Sequence, residues 1–208
     1  MLVQDIMTKK VVAIDPEMPI VDVNKLMEQR NIRHFPILMN SQLVGIVSDR
    51  DIRVVGSEHP RAQKGVTLKD SVKKIMRSPV LTTHPLDPIE EAAKVLREHK
   101  IGAMPVLDGD ELVGIVTGID FLEAMVKMTG VYGATTRLEV EVDNRPGGLA
   151  SVLDSIAKKK VNVSSVMTTR SDPDAVHFVL RVNTIDGRGL AGELRKEGFE
   201  ILWPTEKP

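Results

Sequence analysis

No cysteine occurs in these 208 residues, which removes disulfides, thiolate metal ligands and cysteine nucleophiles together. Aromatic side chains make up only 3% of the chain, so its cores have to be built from Val, Ile, Leu and Met. Long apolar runs are missing too. No stretch approaches the roughly 18 residues that a membrane span needs, and the start, Met1-Leu2-Val3-Gln4-Asp5, has neither the basic nor the apolar region of a secretory signal. Neither sign of charge dominates: 28 Lys and Arg stand against 29 Asp and Glu, a net charge of -1. That balance argues against nucleic acid as the main partner, because a phosphate backbone requires a basic surface. The expectation is a soluble, cytoplasmic protein with no membrane and no nucleic-acid partner.

Chemistry is equally sparse. No Gly-rich loop ending in Lys-Ser/Thr is present to cradle a phosphate chain. The five histidines, His34, His59, His84, His99 and His177, fall at no metal-ligating spacing with one another, so no metal is expected. With no nucleophile–base pair either, the reading is that the chain has no catalytic residues and is not an enzyme.

What the chain does have is a duplication. Met7 returns as Met76, Pro16 as Pro85, Pro36 as Pro105, and Leu43-Val44-Gly45-Ile46-Val47 as Leu112-Val113-Gly114-Ile115-Val116. No gap is needed between Ile6–Ile52 and Ile75–Phe121. A doubled unit usually stacks on itself, and the shared seam is where a small ligand can sit.

Each copy reads as strand, helix, strand, strand, helix. A short strand is expected at Val11–Ile14, and then a helix that Pro19 opens and whose inner face carries Ile20, Val23 and Met27. In the second copy Pro88, Ile89, Ala92, Ala93 and Leu96 take those parts. Phe35–Leu38 and Gln42–Val47 read as a hairpin turning at Asn40-Ser41. Met104–Leu107 and Glu111–Val116 form its copy, with a turn at Asp108-Gly109. Gly45 and Gly114, inside strands, predict a close approach of another group to the backbone. Helices at Asp49–Val55 and Ile119–Met128 complete the copies, and the polar Gly56–Gly65 links them.

After Gly130–Gly133 the pattern changes. Alternating runs at Arg137–Val142, Val161–Thr168 and Val176–Val182, a last strand at Phe199–Trp203, and helices from Pro146-Gly147-Gly148 and over Gly189–Lys196 give the order βαββαβ. That order fits a ferredoxin-like unit.

The doubled unit resembles a pair of CBS domains, the Bateman module. The resemblance rests on Asp5-Ile6-Met7, Ile32-Arg33-His34-Phe35-Pro36-Ile37 and Gly45-Ile46-Val47-Ser48-Asp49-Arg50-Asp51 in the first copy. In the second it rests on Ile75-Met76, Ile101-Gly102-Ala103-Met104-Pro105-Val106 and Gly114-Ile115-Val116-Thr117-Gly118-Ile119-Asp120. It implies two sites in the cleft between copies, taking adenosine ligands such as AMP, ADP, ATP or S-adenosylmethionine. The residue chemistry is compatible. A carboxylate in the first turn of a helix can accept bonds from both ribose hydroxyls, and a hydroxyl three residues earlier suits a phosphate oxygen. Asp51 with Ser48 and Asp120 with Thr117 meet that pattern. The family pattern also points Arg33 and His34 in one copy, and Gly102 and Ala103 in the other, at the ligand, with Val11 and Val80 lining the base pocket. Gly118 and Ile119 replace Asp49 and Arg50, so the two sites should differ in charge preference. The competing account is that Ser-x-x-Asp and Thr-x-x-Asp are helix capping boxes and need no ligand.

The last third resembles an ACT domain, on Asp143-Asn144-Arg145-Pro146-Gly147-Gly148-Leu149-Ala150 and Val161-Asn162-Val163. The resemblance implies a small effector, often an amino acid, held where two copies meet edge to edge. Asn144, Gly147, Gly148 and Asn162 are its candidate residues: the glycines admit a carboxylate to backbone N–H groups, and the asparagines can both donate and accept. Where serine-binding members carry His, this chain has Val142, which argues against serine.

The fold class expected is therefore mixed α+β and α/β: two CBS domains as a pseudo-twofold pair (1–65 and 66–130) and a ferredoxin-like ACT domain (134–208). The order CBS, CBS, ACT is similar to that of AcuB-type proteins associated with acetoin utilisation. It implies a non-catalytic regulatory sensor, a homodimer, that binds an adenosine nucleotide as a regulatory ligand and acts on a partner enzyme or regulator. A structural adaptor that dimerises and binds nothing is the alternative.

Overall fold

The computed structural model describes residues 1–60 and 62–205. They divide into two compact units, Met1–Leu122 and Glu123–Pro208, and each is described by itself.

In the first unit the two copies repeat one architecture. Helix α1 (Ile20–Arg30) is followed by the antiparallel hairpin β1 (His34–Met39) and β2 (Gln42–Ser48) and the short α2 (Asp49–Arg53). Its counterpart runs α3 (Ile89–Glu98), β3 (Ala103–Asp108), β4 (Glu111–Thr117) and α4 (Gly118–Met128), the last passing into the second unit. Pro19 and Pro88 are the residues just outside α1 and α3, in extended conformation. Ile20, Val23 and Met27 of α1 and Ile89, Ala92 and Leu96 of α3 are buried, the spacing that puts one stripe of a helix inward.

Three expectations change. Val11–Ile14 is no strand: only Ile14 makes a single parallel bridge, to Ile37, because Asp15-Pro16 turns the chain away before a ladder can form. The second hairpin turns one residue later than read, at Gly109-Asp110, with Gly109 at φ 59°. Asn40 and Ser41 in the first hairpin are both left-handed (φ 51° and 65°), the conformation a two-residue hairpin turn requires. Helix α2 stops at Arg53 instead of Val55.

The copies exchange their leading segments. Residues ahead of the first copy pack on the second: Val3 N–H donates to Asp87 O (2.9 Å), and Thr8 and Ile115 bond each other's backbone at 2.9 and 3.1 Å. The segment ahead of the second copy packs on the first in the same way, with Val72 N–H on Met18 O (2.9 Å) and Arg77 bonded to Ile46 at 2.8 and 3.1 Å. Val66, Val72 and Ile75 accordingly belong to the same core as Phe35, Ile37 and Val47. The close approach predicted at the two strand glycines follows from this exchange. A Cβ at Gly45 would lie 2.5 Å from the Met76 sulfur, and one at Gly114 would overlap the sulfur of Met7.

The second unit is βαββαβ. Strands β5 (Thr136–Asp143), β6 (Val163–Ser171), β7 (Ala175–Val182) and β8 (Glu200–Trp203) form one antiparallel sheet in the order β6-β7-β5-β8. Helices α5 (Gly148–Lys158) and α6 (Gly187–Lys196) cover one face, where Leu138, Val140, Val152, Ile156, Leu180 and Leu194 make the core. This is the ferredoxin-like connectivity.

Candidate functional site

Two clefts open in the first unit, and each is built from both copies. One, of ≈ 360 Å³, lies where the end of β2 and the start of α2 face the segments before α3 and β3. It brings Ser48 and Asp51 together with Val80, Gly102 and Ala103, and His34 also lines it. The other, of ≈ 620 Å³, brings Thr117 together with Val11, Arg33 and His34. Both volumes are in the range of small-molecule sites. Candidates grouped by their own copy in sequence are thus sorted crosswise in space. Backbone ties fix the walls: Asp49 N–H donates to Arg33 O (3.0 Å) and Gly118 N–H to Gly102 O (3.2 Å), locking each helix start to the strand start beside it.

Both hydroxyl–acid pairs are engaged with themselves. Asp51 Oδ2 accepts from Ser48 N–H (3.0 Å) and from the Ser48 hydroxyl (2.6 Å). Asp120 Oδ2 accepts from Thr117 N–H and hydroxyl, both at 2.7 Å. This is the capping arrangement in both copies, yet Asp51 lines the smaller cleft and Asp120 does not line the larger one. In both copies the hydroxyl proton points at the carboxylate instead of toward a phosphate.

The second oxygen distinguishes the copies. Asp51 Oδ1 accepts from Arg77 Nε (3.1 Å) and Nη2 (3.0 Å), with the Asp51 side chain 12% exposed. Among the described residues Asp120 Oδ1 has no such partner, and Thr8 stands at the position equivalent to Arg77. Sequence reasoning missed Arg77, as it missed Lys10 and Lys100, which also line the clefts. The signal was available: the offset that aligns the copies sets Arg77 against Thr8 and Lys10 against Pro79. His34 is partly buried, and desolvation holds its pKa below the ordinary 6.5. Asp49 and Asp51 oppose that shift, and Arg50 and Arg33 add to it.

The four effector candidates of the second unit do not make one site within one chain. Asn144 closes a loop, its Nδ2 donating to Asp172 O (2.7 Å) and its N–H to Asp174 O (2.9 Å). Asn162 accepts at its carbonyl from Asn183 N–H (2.9 Å). Asp143 pairs with Ala175 and Thr136 with Val182, so the asparagines sit at opposite ends of the sheet, roughly 23 Å apart by strand rise. Gly147 is left-handed at φ 92°, and a Cβ at Gly148 would lie 2.7 Å from the Asp143 carbonyl. Both glycines are therefore required by the backbone itself. The ≈ 290 Å³ cavity at the Asn144 end includes Gly148 and is walled by Glu141, Asp143 and Glu200 together with Arg145, whose Nε is paired with Asp143 at 3.1 Å.

Among the described residues no group of three or more His, Cys, Asp or Glu is placed to hold a metal ion, and no helix is long and apolar enough to cross a membrane.

Comparison with known proteins sets the first unit in context. The CBS domain-containing protein YhcV of Bacillus subtilis is 31% identical over 114 residues, covering 55% of this chain and 78% of that protein. Homoserine O-acetyltransferase of Methanohalobium evestigatum is 34% identical over 121 residues, but the chain spans only 23% of that enzyme's length. Among solved structures, a putative acetoin utilization protein (AcuB) from Vibrio cholerae is 30% identical with a TM-score of 0.55, covering 64% of this chain and 95% of that one. The CBS domain pair of protein MJ0100, in complex with 5-methylthioadenosine and S-adenosyl-L-methionine, is 28% identical with a TM-score of 0.54, covering 61% and 97%. The CBS domain family itself matches residues 3–58 and again 72–127. The chain belongs to the CBS-domain family, with two such domains in tandem.

Proposed function

We propose that the protein is a non-catalytic regulatory sensor whose CBS pair binds an adenosine ligand, of the class AMP, ADP, ATP or S-adenosylmethionine. The observation that carries this reading is the repeated hydroxyl–acid pair, with Ser48 and Asp51 in the wall of one cleft and Thr117, bonded to Asp120, in the wall of the other, each cleft having an apolar wall (Val80 or Val11) and cations within it. The likeness to the MJ0100 pair, a protein that binds two adenosine compounds, supports the ligand class. Asp51 and Asp120 receive the ribose hydroxyls, Ser48 and Thr117 turn their hydroxyls to the ligand as it enters, and Arg33 and His34 face its phosphate.

Differential scanning fluorimetry with AMP, ATP and S-adenosylmethionine tests it. A ligand at a hundredfold excess over Kd stabilises by about 2.7 kcal/mol, about 5–10 °C in Tm for a chain of this size. Asp51→Ala and Asp120→Ala are expected to weaken binding at least about tenfold, since each removes charge-assisted hydrogen bonds. Flat melting curves with all three ligands would favour a structural adaptor, the reading that the self-engaged capping pairs support.

The second unit serves as an ACT-type effector module in this proposal. Strand β6 is an edge of its sheet, and antiparallel pairing with the β6 of a second copy brings Asn162 to the end of the sheet that carries the other copy's Asn144. A homodimer is therefore needed to assemble the amino-acid site. Titration calorimetry with a panel of amino acids tests it, and no heat at millimolar concentration refutes it. The signal passes to a partner enzyme or regulator, and the likeness to the Vibrio protein suggests acetoin utilisation as its setting.

A further inference from the structure

Two ionisable side chains, and only two among the described residues, line both clefts of the first unit: His34 and Arg50. Neither has a mate across the duplication. The offset that aligns the copies sets Ala103 against His34 and Ile119 against Arg50, so a symmetric pair of sites has been left with one central guanidinium and one central imidazole. The packing favours this asymmetry. The imidazole of His34 lies against Gly102, where an added Cβ would come 2.6 Å from Nε2, so a side chain at 102 equivalent to Arg33 would have to push that ring aside. Each cleft also has cations of its own. Lys10 and Arg33 line the larger one, and Lys100 and Arg77 the smaller, although Arg77 is held by Asp51 at 3.0 Å.

We infer that the two clefts are coupled through His34 and Arg50 so as to favour unlike occupants: a phosphorylated nucleoside in one cleft opposes a second in the other, and an uncharged nucleoside fills it freely. This rests on the nucleotide-binding reading and adds to it the pairing of ligands. The physical basis is that one guanidinium, with one imidazole beside it as a hydrogen-bond donor, cannot serve two anionic tails at once. The second tail enters a seam whose Arg50 and His34 already face the first. Residual attraction from Lys10, Arg33 and Lys100 keeps the opposition finite, on the order of tenfold in affinity, within the usual range of coupling between sites. A protein built this way responds to the balance between phosphorylated and unphosphorylated adenosine compounds more than to the level of either one.

Titration calorimetry on the full chain, freed of nucleotide, decides it, with AMP and adenosine as probes. AMP is expected to enter the second cleft about tenfold more weakly when AMP holds the first than when adenosine holds it, and adenosine to fill the remaining cleft of AMP-loaded protein without that loss. Arg50→Ile and His34→Ala import residues that the other copy already carries at the equivalent place, and each is expected to shrink that difference. Equal AMP affinity beside either occupant in the native chain, or a difference that neither substitution alters, overturns the coupling while leaving nucleotide binding intact. Failure of the native chain to bind either compound overturns the nucleotide reading itself, and the coupling with it.

Discussion

A methyl group placed at Gly45 has to displace Met76, a residue of the other copy's leading segment, and that makes Gly45→Ala a direct probe of the exchange. The new Cβ would stand 2.5 Å from the Met76 sulfur, 3.0 Å from its Cγ and 3.2 Å from its Cβ. Rotation can move the sulfur and Cγ, but the Cβ moves only with the backbone of the Ile46–Arg77 bridge. Overpacking of this kind costs about 1–3 kcal/mol. Met76→Ala alone removes a half-buried side chain and falls below the 2–5 kcal/mol of a fully buried one, at about 1–2 kcal/mol. In the Met76→Ala background the overlap with sulfur and Cγ is gone. Gly45→Ala then comes close to neutral, because alanine also restricts the unfolded chain. The double-mutant cycle therefore carries a coupling of about 1–2 kcal/mol. Urea unfolding followed by far-ultraviolet circular dichroism measures it, while fluorescence of the single Trp203 follows the second unit as an internal control. The mismatched cycle, Gly45→Ala with Met7→Ala, is expected to be additive, because Met7 packs on Gly114. Additivity within about 0.5 kcal/mol for Gly45 with Met76, or coupling of Gly45 to Met7 instead, would refute the exchange.

Acid should weaken the first unit through His34. Burial lowers its folded pKa below 6.5, so the unfolded chain binds the proton more readily and stability falls as pH drops through and below about 6.5. His34→Gln is expected to flatten that limb of a plot of urea midpoint against pH, and an unchanged slope would contradict the assignment. Asp87 behaves oppositely: the backbone N–H of His84 and the hydroxyl of Thr83, both at 2.7 Å, hold its pKa below 3.8. Its contribution is present above that value and lost as pH falls further, and Asp87→Ala is expected to cost about 1.5 kcal/mol at neutral pH by chemical denaturation. Asp70 should titrate at about 2 by carbon-detected nuclear magnetic resonance, chiefly because of the hydrogen bond from Lys74. Lys74→Met is expected to return it toward 3.8, and an unmoved Asp70 argues against that pairing. Asp186 Oδ1 caps α6 by accepting from Gly189 N–H at 2.8 Å, and Asp186→Ala is expected to lower stability by about 1 kcal/mol, seen in the Trp203 transition.

Much of the fold was legible because its punctuation is chemical. Pro19 and Pro88 stand at helix starts, Asn40-Ser41 adopts the left-handed turn, and α1 and α3 bury the stripe their spacing predicts. The exchange of leading segments was not legible. Two copies of one sequence can pack each lead on its own body or on the other's, and the pattern of apolar residues is the same in both cases. Val11–Ile14 misled because β-branched residues favour strands in general, whereas here only Ile14 finds a backbone partner. At the clefts, every nucleotide-site candidate except Asp120 lies in a wall, but the crosswise grouping needed the third dimension. Arg77 was overlooked because matching motifs selects positions where the copies agree, and this is one where they differ. In the second unit the sequence supplied Asn144 and Asn162 but not the length of sheet between them, which depends on the direction of β6 against β7.

That last distinction bears on how a duplicated protein acquires a use. The positions that repeat, such as Met7 and Met76, Gly45 and Gly114, Pro36 and Pro105, are those whose neighbours the fold fixes: a sulfur over a glycine, a proline within a hairpin strand. The capping pairs Ser48–Asp51 and Thr117–Asp120 repeat as well, and both make the same bonds. Among the charged positions that do not repeat, Arg33 against Gly102, His34 against Ala103, Arg50 against Ile119, Arg77 against Thr8 and Lys10 against Pro79 have their basic member in a cleft wall, whereas others, such as Glu17 against Leu86 and Glu28 against Arg97, line neither cleft. Two clefts with a common scaffold and unlike walls are suited to telling two related ligands apart, because discrimination is a difference between affinities. Removing Arg50 should therefore act on both clefts, whereas removing Asp51 should impair one of them.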